Sequence, residues 1–233
     1  MEWFAITFNL YKQVFSRAAV LALRNWPVLG SVFVYSVVMS VAYTVAVPFG
    51  FAGGLIVTLV WAACVSSFLY LVEMMVRTSK VSLDDFRRSF LAYLGDVIGV
   101  MFIFWIASMF LTPVLMTMPQ GPLIMLLIQI AVFVFFNAVP ELIYLGHHSS
   151  LTLLAESYNF IAANWIEWFP ATLLATVVIY YVMSLPLWGL AEYLQSAAVG
   201  LLTYFAMVMR GLLYLELAES SRRSRAFRYR AGG

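Results

Sequence analysis

The chain predicts an all-α polytopic membrane protein: six transmembrane helices in three hairpins, each hairpin preceded by a cytoplasmic interfacial amphipathic helix. Composition is the first reason. Hydrophobic residues make up 64% of the 233 residues, charged residues only 10%, and the mean hydropathy is +0.94, which lies outside the range of soluble domains. The second reason is where the charge falls. Residues 28–72, 97–140, 168–191 and 193–209 contain no Asp, Glu, Lys or Arg, and of the 13 Lys and Arg only Arg210 lies within a span. These runs are continuously apolar, whereas strands of a membrane barrel would alternate polar and apolar residues.

A hydrocarbon core about 30 Å thick needs roughly 20 apolar residues per helix. Spans are therefore expected near 28–47, 54–76, 97–118, 122–145, 168–189 and 193–218. Pro48 with Gly50, Gly53 and Gly54 closes the first hairpin, Pro119 to Pro122 the second, and Pro186 to Glu192 the third. None of these turns holds Lys or Arg. Lys12, Arg17, Arg24, Arg77, Lys80, Arg87, Arg88 and the basic tail share the opposite side. The positive-inside rule puts that side, with both termini, in the cytoplasm, and so predicts a multi-pass inner-membrane protein. Residues 1–233 read as one membrane domain: an interfacial helix and elbow over 1–27, the bundle over 28–218 with two further interfacial helices, and a basic cytoplasmic tail over 219–233.

Three cytoplasmic segments are too polar to span and too patterned to be coil. Residues 3–24 space Phe4, Phe8, Tyr11, Phe15 and Ala18 or Ala19 at three or four positions. Residues 82–95 offer Ser82 as N-cap, Asp84 and Asp85 in the first turn, then Phe86, Phe90 and Tyr93. Residues 149–164 repeat the periodicity with Leu151, Leu154, Tyr158 and Ile161. Each predicts a helix lying in the interface, its apolar face against acyl chains or the bundle. The junctions suggest a threefold internal repeat. Asn25, Asp96 and Asn164 stand 71 and 68 residues apart, and Arg17, Arg88 and Glu156 each precede them by eight positions. Asn25-Trp26, Asp96 and Asn164-Trp165 are the expected elbows, with the indoles at headgroup depth.

Chemistry is sparse. There is no phosphate-binding loop, zinc-protease helix motif, nucleophile elbow or dinucleotide turn. The lone Cys64 excludes an internal disulfide and any multi-cysteine metal site. His147 and His148 are adjacent, so they point different ways on a helix; no metal and no cofactor is expected. The candidate polar cluster is Glu73, Asn137, Glu141 and Arg210. It is either a ligand or ion site or a set of structural ion pairs, with Arg77 four residues after Glu73 as one partner. Pro140 bends the fourth span beside Asn137 and Glu141. Arg222, Arg223, Arg225, Arg228 and Arg230 suit an anionic leaflet, at about 1 kcal/mol each near the surface. A net charge of +2 gives no reason to expect nucleic acid.

The elbows Arg24-Asn25-Trp26 and Ala163-Asn164-Trp165, with Asn137-Ala-Val-Pro140-Glu141 before an interfacial helix, carry a resemblance. Over roughly residues 10–218 the plan resembles the six-span YciC-like bacterial membrane proteins and the membrane domain found beside some glycerophosphodiester phosphodiesterases. That resemblance implies a cytoplasmic-membrane location and this fold, and no reaction. The expected function is non-catalytic: a scaffold or accessory subunit whose partners are membrane lipids and a membrane protein or a second copy of the chain. The alternative is a small-solute or lipid transporter, or a lipid-handling protein, with a cytoplasm-facing polar cavity.

Overall fold

The computed structural model describes residues 2–146 and 150–220. Among these every regular element is helical. In order they are α1 (Glu2–Arg24), α2 (Leu29–Ala46), α3 (Gly50–Thr78), α4 (Leu83–Ala92), α5 (Leu94–Met116), α6 (Gly121–Phe135), α7 (Val139–Leu145), α8 (Ser150–Ser184) and α9 (Leu190–Glu219). His147, His148 and the five tail arginines lie outside the described residues, as do the side chains of Phe4 and Leu151.

Five helical segments are long and apolar enough to cross a membrane: Trp26–Thr78, Leu83–Met116, Gly121–Leu145, Thr152–Ser184 and Ala191–Glu219. The sequence predicts six. The difference lies in the first segment, where two predicted spans form one helical stretch of 53 residues. That stretch is interrupted by a short 3-10 turn over Val47–Phe49 and by Gly50 at φ 52°. A side chain at Gly53 would place its Cβ 2.0 Å from the Ala46 carbonyl oxygen, so the backbone on either side of this turn approaches too closely for any residue but glycine. The turn before α6 is as tight: a Cβ on Gly121 would stand 1.8 Å from the Leu115 carbonyl oxygen.

Two other boundaries differ from expectation. The predicted third interfacial helix and the fifth span are one helix of 35 residues, α8, about 52 Å long. The fourth predicted span is instead broken into α6 and α7 around Phe136, Asn137 and Ala138. Pro140 explains the break, since it brings no N–H to the helix and restricts the residue before it.

The chain divides into two compact units. One comprises the described residues of Met1–Val37, Leu71–Asp85 and Asn164–Gly233. Here α1 packs against α9, burying Leu10, Val14, Ala18 and Leu21 at helical spacing. Trp168, Val72, Met75, Tyr204, Val208 and Leu213 complete the core. Of the predicted apolar face of α1, Ala18 is fully buried in this packing, while Phe8 and Phe15 stay largely exposed. At the far end of this unit Gln195 sends its amide to carbonyls at and just past the end of α8, 2.6 Å from that of Val182 and 3.0 Å from that of Leu185.

The other unit is Val38–Tyr70 with Phe86–Ala163. Ser66, Ser67 and Ser89 are fully buried in it and are joined by hydrogen bonds. Ser89 Oγ donates to the Phe86 carbonyl (2.7 Å), and Ser67 Oγ and Ser89 Oγ share a hydrogen bond (2.5 Å). Ser66 Oγ donates to the Ser89 carbonyl (3.2 Å) and accepts the Tyr93 N–H (2.9 Å). These bonds pin α4 and the start of α5 to α3. Ser157 Oγ likewise donates to the Phe135 carbonyl (2.9 Å), one of the acceptors left over where α6 ends.

Candidate functional site

At the first elbow, α1 stops because Pro27 follows Trp26 and disfavours helix before it. Asn25 makes the stop a junction. Its buried amide donates to the Leu21 carbonyl (3.0 Å) and the Ser79 carbonyl (3.2 Å), while Oδ1 accepts the Val81 N–H (3.2 Å). The Tyr204 hydroxyl, carried in from α9, lies 3.1 Å from the Asn25 carbonyl oxygen, 3.3 Å from that of Ala22 and 3.1 Å from Met75 Sδ. Ser79 holds φ 63°, a left-handed conformation that ends α3 and turns its carbonyl to Asn25. Trp26 is exposed beside this knot.

The other two expected elbows behave differently. Asp96 sits in the first turn of α5, where a carboxylate favours the positive helix end. At Asn164 and Trp165 there is no elbow, because α8 runs through both. No Gly or Pro interrupts 151–169, and Ala162 and Ala163 favour continuation.

The four candidate polar residues are divided between the units. Glu73 and Arg210 belong to the first, Asn137 and Glu141 to the second. Glu73 pairs with Arg77, 3.0 Å away and one helical turn on, as the spacing predicts. Arg210 places its guanidinium 5.0 Å from the centroid of the fully buried Trp168 ring, a cation–π contact. Asn137 lies in the break between α6 and α7, and Glu141, in the first turn of α7, is fully buried. Among the described residues no three His, Cys, Asp or Glu side chains gather as a metal site would require.

A feature absent from the sequence reading is an apolar groove between α1, α8 and α9, about 380 Å³ in volume. Phe8, Tyr11 and Phe15 form its α1 wall. Pro170, Ala175 and Ile179 lie along α8, and Leu202, Phe205 and Met209 along α9. Phe15 meets Phe205 edge to face at 5.1 Å between centroids. Tyr11 is the one polar residue of the lining, and its hydroxyl donates to the Glu167 carbonyl. Burial pushes the Tyr11 phenol up to about 12, against a backbone hydrogen bond at Ala171 and with the Glu167 carboxylate adding to the rise. The phenol is therefore neutral and engaged, and the groove presents hydrocarbon on every side. The signal for this site lay in the Phe8, Tyr11, Phe15 stripe, which has the periodicity of a packing face.

Compared with known proteins, the chain matches no family model, no curated protein and no solved structure.

Proposed function

We propose that the protein is a non-catalytic scaffold or accessory subunit of the inner membrane, packing against lipids and at least one other membrane protein. The observation that carries this is the bareness of α5 and α6. Both are apolar apart from Asp96, Ser108 and Thr112 in α5 and Gln129 in α6, yet only Val97, Val100 and Leu115 are buried in α5 and only Gly121 in α6. They pack on each other and leave Phe102, Trp105, Phe110, Leu126 and Ile130 outward. Helices in lipid gain by close packing with further helices, and this pair offers a wide surface for one.

In this reading the stretch 26–78 crosses twice, for six spans in three hairpins with both termini cytoplasmic, as in the YciC-like group. A single straight crossing of 53 residues would be about 80 Å long, far more than the bilayer holds. Gly50 and the close approach of Gly53 to Ala46 support a reversal there.

A pulldown of the tagged full chain in mild detergent, with mass spectrometry of proteins and lipids, tests the proposal. A stoichiometric membrane-protein partner, lost on Trp105→Ala with Phe110→Ala, is the expected result. Recovery of the chain alone and monomeric, carrying one enriched lipid, would overturn it in favour of lipid handling. That second reading is favoured by the apolar groove rather than by the polar cluster, of which Glu73 is already engaged by Arg77.

A further inference from the structure

We propose that the first elbow holds the phosphate of an anionic phospholipid of the cytoplasmic leaflet, between Arg24 and Lys80 and beside the Trp26 indole. This deepens the lipid-contacting part of the function proposed above, and it rests on that reading's placement of the elbow at the inner face of a bilayer.

The Asn25 knot brings the two cations together. Arg24 is the last residue of α1 and directly precedes Asn25. The Asn25 amide reaches the Ser79 carbonyl (3.2 Å) and the Val81 N–H (3.2 Å), the two backbone groups that flank Lys80. Because that side chain is short, residues 24 and 80 are spatial neighbours. Both are exposed, and the whole elbow belongs to one compact unit. A basic residue closes each helix here, Arg24 in α1 and Arg77 in α3, as the negative helix end favours. Lys80 lies past both helices and adds charge that neither end requires. Nothing acidic neutralises the pair. Among the described residues neither Arg24 nor Lys80 makes an ion pair or a side-chain hydrogen bond. Of the nearby carboxylates, Glu73 is held by Arg77 (3.0 Å), and Asp85 accepts the Ser82 N–H (2.8 Å) and hydroxyl (2.7 Å). Asp84 is exposed and bonded to neither cation.

Chemistry then selects the occupant. A guanidinium beside an ammonium favours an anion with several acceptor oxygens, and a membrane surface supplies that group as lipid phosphate. The apolar surface around the pair separates a lipid from a free phosphate. Leu23 is 76% exposed, Trp26 67% and Leu83 83%, so the rest of the chain covers none of them. A soluble anion would leave these side chains in water. A phospholipid meets the cations with its headgroup and the apolar side chains with the start of its acyl chains. The Trp26 indole suits that boundary, apolar in body and with one N–H for a polar neighbour. A zwitterionic headgroup carries its own cation and gains less from the pair, and for this reason the lipid is assigned as anionic.

The test titrates the purified full chain in mild detergent with phosphatidylglycerol, phosphatidylcholine or inorganic phosphate, read by native mass spectrometry. One phosphatidylglycerol should be retained in preference to phosphatidylcholine, and inorganic phosphate should not displace it. Arg24→Gln with Lys80→Gln should weaken that retention about thirty-fold, about five-fold for each cation. Lys12→Gln with Arg87→Gln removes as much charge away from the elbow and should change it by less than about two-fold. Equal loss in the two double variants would overturn the proposal, since it would show attraction by net charge without a site. So would equal retention of phosphatidylcholine, or displacement by inorganic phosphate. A second measurement needs no variant to fold. In phosphatidylcholine vesicles, a phosphatidylglycerol with a photoactivatable diazirine near the head of its acyl chain should label Leu23, Trp26 and Leu83. Labelling no denser there than at the comparably exposed Leu91 of α4, or crosslinking of a second copy through the elbow, would overturn the site. With no other protein present, both measurements are independent of the partner pulldown.

Discussion

The Tyr204 hydroxyl stands 3.1 Å from the carbonyl oxygen of Asn25, a residue 179 positions earlier in the chain. Through this contact α9 closes on the end of α1, while the Asn25 side chain holds the turn after α3. Three polar groups of one amide are satisfied where three segments meet, inside an otherwise apolar core.

Asn25→Ala should be the more damaging change at this knot. It removes three hydrogen bonds and takes this partner from the half-buried Ser79 carbonyl and Val81 N–H, a loss of about 2–4 kcal/mol. Tyr204→Phe removes a single shared hydroxyl and should cost about 1 kcal/mol. Thermal unfolding in detergent ranks the two, and the double variant should fall short of additivity. Equal effects would show that Asn25 does not organise the junction.

Ser79→Gly should stabilise the protein by about 0.5–1 kcal/mol, because a left-handed φ of 63° burdens serine and suits glycine. The same unfolding assay reads it. A loss of stability would mean that the serine side chain contributes more than its backbone strain removes.

Asn164→Pro should destabilise by about 3 kcal/mol or more, since it interrupts a continuous α8. An elbow would tolerate proline, as the first one already does at Pro27. Circular dichroism and unfolding of the variant distinguish the two cases.

Tyr11 should give a stability loss in strong base. Its folded-state value is raised to about 12 from 10.0, so the neutral phenol is favoured in the native protein. The resulting stabilisation is complete below pH 10 and is lost as pH rises through 12. Tyrosinate absorbance followed alongside unfolding should show this component, and Tyr11→Phe should remove it.

Much of the architecture was legible because the bilayer imposes local rules. An apolar run near 20 residues must be helical, and prolines and glycines mark where helices stop. The Asn25 break could be read from Pro27. The same Asn-Trp pair at 164–165 misled, because Ile166 follows it and nothing halts the helix. On α1 the sequence left open whether the aromatic stripe meets acyl chains or the bundle, and the structure buries Ala18 while leaving Phe8 and Phe15 exposed. Leu10, Val14, Ala18 and Leu21 share helical periodicity with Phe8, Tyr11 and Phe15, and where the surroundings are hydrocarbon, hydrophobicity does not say which stripe faces protein.

The candidate site was harder. Glu73 with Arg77 was visible as a one-turn spacing, but Arg210 over Trp168 joins residues of different helices. The buried Ser66, Ser67 and Ser89 drew no attention in the sequence, where serines in apolar runs are unremarkable, and only their convergence makes them a clamp.

By itself the sequence determined that the chain is helical and apolar on the scale of a membrane, since hydropathy and backbone hydrogen bonding are properties of short segments. Tertiary structure alone decided which apolar faces pack and which stay open. The groove beside α1 exists only because α8 and α9 come together behind its aromatic stripe, a convergence of residues far apart in sequence that no local pattern encodes.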